Sequence, residues 1–147
     1  MPLTGDYAPS TSGWAREQAE AYEASNGTRA GDLRGMPIVV LTTRGARSGK
    51  LRKTPLMRVE HDGRYAVVGS MGGAPAHPLW VHNIRADPHV ELQDGAERHD
   101  YVAHETAGDE REEWLRRAIE AFPPYADYVL RTSRLIPVFV LARREPD

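Results

Sequence analysis

The chain has 147 residues, no cysteine, and 19 basic against 21 acidic residues, for a net charge of -2. That length suits one domain with a core large enough to fold without staples, and the lack of cysteine excludes disulfides, thiolate metal sites and a cysteine nucleophile. The slightly acidic balance argues against general nucleic-acid binding, and no run approaches the roughly 18 apolar residues of a membrane span.

Residues Met1 to Gly13, rich in Pro, Ser, Thr and Gly, read as a mobile arm with no leader-like basic and apolar regions. Trp14 to Ser25 reads as a helix, with Trp14, Gln18, Ala21, Tyr22 and Ser25 on one face, Ser12 as cap and Asn26-Gly27 as a left-handed stop. A lid or membrane-surface role for this helix is the alternative to simple packing, and its acidic residues count against lipid attraction. After the connector Gly31 to Met36, Pro37 to Thr43 is a buried strand, Arg52 to Glu60 a second, and Tyr65 to Ser70 a third, with an Asp62-Gly63 hairpin signal between the last two. Pro78 begins a short helix that Asp87-Pro88 ends. His89 to Gln93 and Arg98 to Glu105 are strands joined by an Asp94-Gly95 turn. Thr106 and Asp109 form a capping-box-like start to a helix carrying Arg111, Trp114, Leu115, Ala118, Ile119 and Phe122 on one side, stopped by Pro123-Pro124. Tyr125 to Arg134 is a short aromatic and basic segment that a helix would accommodate, and Ile136 to Ala142 is the last strand. Hairpin turns between most strands favour an antiparallel sheet closed into a barrel with helices at its edges, an α+β architecture of about six strands.

The chemistry concentrates between Leu41 and Asn83. Arg44, Arg47, Lys50, Arg52 and Lys53 put five cations into ten residues, with Gly45, Ser48 and Gly49 among them. Guanidinium forks and exposed amides suit phosphate or carboxylate oxygens, although the spacing is not that of a P-loop, because Leu51 follows Lys50. Pro55 marks an edge or bulge in the next strand, beside apolar Leu56 and Met57, which suit either a wall for a flat ring or ordinary packing. Ser70-Met71-Gly72-Gly73-Ala74 is a small-residue loop that lets a ligand approach the backbone. It runs into Pro78, Leu79 and Trp80. Asn83, one turn on from Trp80, either bonds a ligand or fastens the loop. Tyr125 and Tyr128, three apart, suit aromatic packing or a pair of phenols on one face. The six histidines show no metal-ligand spacing, so no metal is expected.

From about Tyr22 onward the chain resembles the deazaflavin-dependent nitroreductase family, whose members use coenzyme F420. The motifs that carry the resemblance are Tyr22-Glu23-Ala24-Ser25-Asn26-Gly27, Leu41 to Gly45, Arg47 to Arg52, Thr54-Pro55-Leu56, Ser70 to Ala74, Pro78 to Pro88 and Ile136-Pro137-Val138, in the family's order and spacing. The resemblance implies a split β-barrel of the flavin-reductase and FMN-binding-like kind over residues 14–147, F420 as cofactor and an actinobacterial setting. It implies Arg47, Lys50 and Arg52 as anchors of the cofactor's phosphate and glutamate tail, and Pro55, Leu56 and Met57 as the wall beside the deazaflavin. Ser70, Met71, Gly72, Gly73 and Ala74 would hold the ring, Pro78, Leu79, Trp80 and Asn83 would lie below it, and Tyr125 and Tyr128 would face the substrate. Met57 stands where a relative has tyrosine, and Met71 and Ala46 stand where some members have basic residues.

The expected activity is that of an F420H2-dependent oxidoreductase passing a hydride to a small-molecule electron acceptor, a quinone, enone or nitroaromatic. Ser70, Tyr125 and Tyr128 are the catalytic candidates, and the expected location is the cytoplasm or the inner face of its membrane. The alternatives are an FMN-binding flavin oxidoreductase, which needs fewer cations than the five available, and a non-catalytic F420 carrier.

Overall fold

The computed structural model describes residues 3–10, 12–33 and 35–144. Positions 1, 2 and 11 of the expected arm, position 34 of the connector and positions 145–147 lie outside the described residues. In chain order the elements are α1 (Gly13–Ala24), β1 (Asp32–Leu33), β2 (Met36–Arg44), β3 (Leu51–Met57), β4 (Glu60–His61) and β5 (Arg64–Val68). A single 3-10 turn (Met71–Gly73) follows, then α2 (Leu79–Ala86), β6 (His89–Asp94), β7 (Glu97–Glu105), α3 (Gly108–Ala121), α4 (Pro124–Arg131) and β8 (Val138–Arg143).

Every pairing among these strands is antiparallel, in the order β1-β2-β6-β7-β8-β5-β4, with β3 also on β2. The expected single strand from Arg52 to Glu60 is broken at Arg58, whose Nε–H is shared between the two carboxylate oxygens of Asp94 at 2.9 and 3.1 Å. Before the break the segment pairs with β2; after it, Ala66 donates to the Val59 carbonyl and β4 joins β5. One segment thus touches both ends of the sheet and curls it into a split barrel. Asp62 and Gly63 take positive φ (53° and 77°), which closes the β4–β5 hairpin with the twist that flanking strands need.

Alternation along the strands sorts side chains into two cores. Ile38, Val40, Met57, Ala66, Val68, Val138 and Val140 face α1, α3 and α4, where they meet Ala19, Tyr22, Trp114, Ala118, Phe122 and Tyr125. Val39, Leu41, Val67, Val90, Leu92, Phe139 and Leu141 face α2 and surround Trp80, Val81 and Ile84. At the end of α1, Gly27 sits at φ +81°, and a Cβ there would fall 2.5 Å from the Gly95 Cα, so the helix stop is also a close backbone contact. Two expected caps are corrected. Thr106 does not cap α3; its buried hydroxyl donates to the Val138 carbonyl at 2.7 Å and ties the helix start to β8. Ser12 is the N-cap residue of α1, but its hydroxyl makes no capping bond.

The described part of the N-terminal arm lies against the barrel. Leu3 is buried, Tyr7 bridges Leu51 in parallel, the Leu51 amide donates to the Asp6 carbonyl at 2.6 Å, and Ala8 donates back to the Leu51 carbonyl at 2.8 Å. The open edge of β3 supplies these bonds, because an edge strand offers unpaired amides and carbonyls.

Candidate cofactor and acceptor site

The cationic stretch is the β2–β3 hairpin. It closes on itself, with Gly45 donating to the Lys50 carbonyl at 2.7 Å and Gly49 to the Gly45 carbonyl at 2.9 Å. Asn83 of α2 fastens it: its Oδ1 accepts the Ala46 amide at 2.9 Å and its Nδ2 donates to the buried Thr43 hydroxyl at 3.1 Å. Both ends of the amide are therefore used on the protein.

The five cations divide by what they touch. Arg44 donates to the carbonyls of Gly49 (3.1 Å) and Thr4 (2.7 Å) and pairs with Asp87; Arg52 donates to the Pro9 carbonyl at 2.9 Å; Lys53 pairs with Glu23 of α1. The side chains of Arg47 and Lys50 are exposed and bond no described residue, and the backbone amides of Arg47 and Ser48 are free in the same sense. Two exposed cations and two adjacent amides at a hairpin tip are a ready receptor for anionic oxygens.

The cationic hairpin is one lip of the candidate site, and the small-residue loop is the other. Met71, Gly72 and Gly73 run at φ +46°, +65° and +81°. The left-handed conformation at Met71 costs on the order of 1–3 kcal/mol and persists only where the surroundings fix it. Gly73 lies so close to α4 that a Cβ would sit 2.9 Å from the Arg131 Cβ and 3.0 Å from the Tyr128 carbonyl oxygen. The amides of Ser70, Met71 and Gly72 donate to no described residue, whereas those of Gly73 and Ala74 close the turn onto Ser70 and Met71. Ser70 is only 6% exposed, and its hydroxyl makes no bond to a described residue.

α2 joins the lips. Its first residue follows the small-residue loop, and Asn83 lies four residues on, roughly 6 Å along the axis. Pro78 is buried and serves as N-cap, and Leu79 is 78% exposed. Trp80 is taken up by the core, edge-on to Phe139 with ring centres 5.9 Å apart.

The structure does not bring all the expected wall residues together. Leu56 pairs with Val39 and Arg52 with Thr43, so both lie on the α2 face, because directly paired residues point the same way. Pro55 and Met57 point to the other face, where both are buried and Met57 packs among α-helical side chains. Tyr125 is also buried there, its ring edge-on to Phe122 at 5.0 Å, and burial pushes its phenol well above the ordinary tyrosine range. Tyr128 is less buried and carries the Arg131 guanidinium 5.4 Å from its ring.

Arg134 has no motif to announce it. Its guanidinium donates to the carbonyls of Ala74 (2.8 Å), Gly69 (3.0 Å) and Ser70 (2.8 Å) and to His77 Nδ1 (2.8 Å). Those partners are 57 to 65 positions away, beyond any local spacing rule. Desolvation, helped by the Arg134 charge, holds the His77 ring below its ordinary pKa and therefore neutral. A separate cleft of about 570 Å3 lies among Arg58, Glu60, His61, Arg116, Arg117 and Glu120. Its mixed charges favour no one ligand, and it includes no residue of either lip.

The fold is that of split-barrel proteins of the flavin-reductase and FMN-binding-like kind. The family model described as F420H(2)-dependent quinone reductase matches residues 14–143. An F420H(2)-dependent quinone reductase of Mycobacterium tuberculosis is 35% identical over 127 residues, covering 84% of this chain and 85% of that protein. A solved F420-H2 dependent reductase (FDR-A) is 54% identical with a TM-score of 0.69, covering 72% of this chain and 94% of the other. A structure described as a domain-swapped dimer is 49% identical with a TM-score of 0.72, covering 88% and 97%. The chain belongs to the F420H(2)-dependent quinone reductase family, whose cofactor is coenzyme F420.

Proposed function

We propose that this chain reduces a quinone-type acceptor with F420H2, and that the cofactor lies along α2, its acidic tail on the β2–β3 hairpin and its ring at the Ser70–Ala74 loop. The observation that carries the reading is two sets of donors that bond no described residue, on the two segments linked to α2. On the hairpin fastened at Asn83 are the Arg47 and Lys50 side chains with the Arg47 and Ser48 amides; on the loop that precedes the helix are the Ser70, Met71 and Gly72 amides. The first set fits phosphate and carboxylate oxygens, and the second fits the carbonyl and nitrogen acceptors of a flat ring. When bound, the reduced deazaflavin supplies a hydride to the acceptor.

The chain's own residues bind, orient and shield. Arg47 and Lys50 neutralise the tail, while Arg52, on the α2 face, is held by the Ala8 and Pro9 carbonyls of the arm. Asn83 keeps the hairpin at a set height on α2. Leu56 offers the apolar side chain of β3 on that face, while Met57 and Pro55 support the strand from behind. Ser70 presents a hydroxyl that bonds no described residue, beside amides of which the same is true. Tyr128 is the better placed of the two phenols to meet an acceptor, since Tyr125 is enclosed and its raised pKa makes it a poorer acid. Met71, Leu79, Leu130 and Leu135 are exposed on the loop and the segments next to it, which suits an uncharged, largely apolar acceptor. Among the described residues no helix is long and apolar enough to cross a membrane.

Titration with F420, followed by the cofactor's fluorescence, tests the binding step, and oxidation of F420H2 by a short-chain quinone tests the reaction. Saturable binding at micromolar protein with quinone-dependent oxidation is expected. No binding at that concentration overturns the reading.

A further inference from the structure

We propose that Arg134 is the positioning residue of the ring-binding loop, setting the direction of the two backbone donors that meet the deazaflavin head. The inference rests on the functional reading above and adds a residue to it. Described peptide bonds are all trans, so a carbonyl and the amide that follows it point in opposite directions. Arg134 grips the Gly69 carbonyl, which turns the Ser70 N–H away from the guanidinium, and the Ser70 carbonyl, which does the same for the Met71 N–H. These are two of the three loop amides that bond no described residue. The same guanidinium holds the far end of the loop at the Ala74 carbonyl, and the ring of His77 behind it.

The loop needs such a clamp. Three successive residues with positive φ, one of them methionine, do not hold their shape by local preference. A planar fork with five N–H donors is the one side chain able to serve four acceptors arranged around it. Lysine would keep the charge but lose that geometry. Arg134 thus acts through the loop and need not touch the cofactor.

The test compares coenzyme F420 with a deazaflavin that lacks the phosphate and glutamate tail, titrated by fluorescence against the wild type, Arg134→Gln, Arg134→Lys and Arg47→Gln. Arg134→Gln and Arg134→Lys are expected to weaken both ligands by a similar factor, about tenfold, as expected when hydrogen bonds to a charged group are lost. They should also move the absorbance maximum of the bound ring back toward that of the free ligand. Arg47→Gln is expected to weaken F420 and leave the tailless ligand unchanged. If Arg134→Gln fails to fold, Arg134→Lys carries the comparison. Binding of the tailless ligand at wild-type strength and with the wild-type spectrum by either folded variant overturns the proposal. A wild type that binds neither ligand overturns the functional reading and this one with it.

Discussion

Asn83 and Ala46 are 37 positions apart and joined by one hydrogen bond of 2.9 Å, through which α2 holds the cationic hairpin. Replacing Asn83 with alanine leaves the Ala46 amide and the buried Thr43 hydroxyl without their partner. An unmet buried polar group costs about 1–3 kcal/mol, so Asn83→Ala should lower the melting temperature and also weaken F420 binding. Thermal denaturation and fluorescence titration measure the two. A stable variant with unchanged affinity would show that the hairpin needs no such tie.

Arg47 and Lys50 should behave oppositely. Neither side chain bonds a described residue, so Arg47→Ala and Lys50→Ala should change stability by no more than about 0.5 kcal/mol. Each should still reduce F420 affinity, and the reduction should shrink as salt is raised, because an exposed cation acts through a screened field. Titrations at low and high ionic strength separate this from a structural effect.

Removal of residues 1–9 frees the Arg44 and Arg52 guanidiniums from the Thr4 and Pro9 carbonyls and uncovers the site of buried Leu3. Stability should fall by roughly 1.5–3 kcal/mol for the lost apolar side chain alone. Affinity for F420 in the folded truncated protein should become more sensitive to salt, since two more cations are available to the tail. An unaltered salt slope would mean that the arm does not compete for those groups.

The pH dependence of the loop follows from His77. Its folded pKa is lowered, first by desolvation and then by the positive charge of Arg134, with Arg85 and His82 adding to this and Glu105 opposing it. The folded state therefore favours the neutral ring. Stability linked to His77 is complete above the ordinary histidine value of about 6.5 and is lost as the pH falls below it through the lower folded pKa. Protonation would also set an N–H against the Arg134 donor. Melting temperatures measured from pH 7.5 down to 5 should fall more for the wild type than for His77→Gln. Parallel curves would remove His77 from the account.

The six main strands were legible because β-branched runs and Asp-Gly turns bracket them, and Asp62 and Gly63 take the backbone that their pairing implied. Asn26-Gly27 ended α1 for the same local reason. The two lips were visible as well, one as clustered charge and the other as clustered glycine. What stayed hidden was long-range. The chain's order gives no hint that Arg134 reaches Gly69 at the end of the neighbouring strand β5, or that Arg52 turns to the arm. Leu56 and Met57 looked like one wall until strand alternation placed them on opposite faces. Asn83 was open between holding a ligand and holding a loop, and only the position of Ala46 and Thr43 decided where its bonds go.

α2 works as a ruler. Its axial rise separates Leu79 from Asn83, where the hairpin is tied, and each residue added between them would lengthen that stretch by about 1.5 Å while swinging Asn83 through about 100°. A one-residue insertion after Trp80 would therefore change the span between the two ends and aim the amide away from Ala46 at once. The separation between the start of this helix and the point where the hairpin is tied is written into the five residues from Leu79 to Asn83.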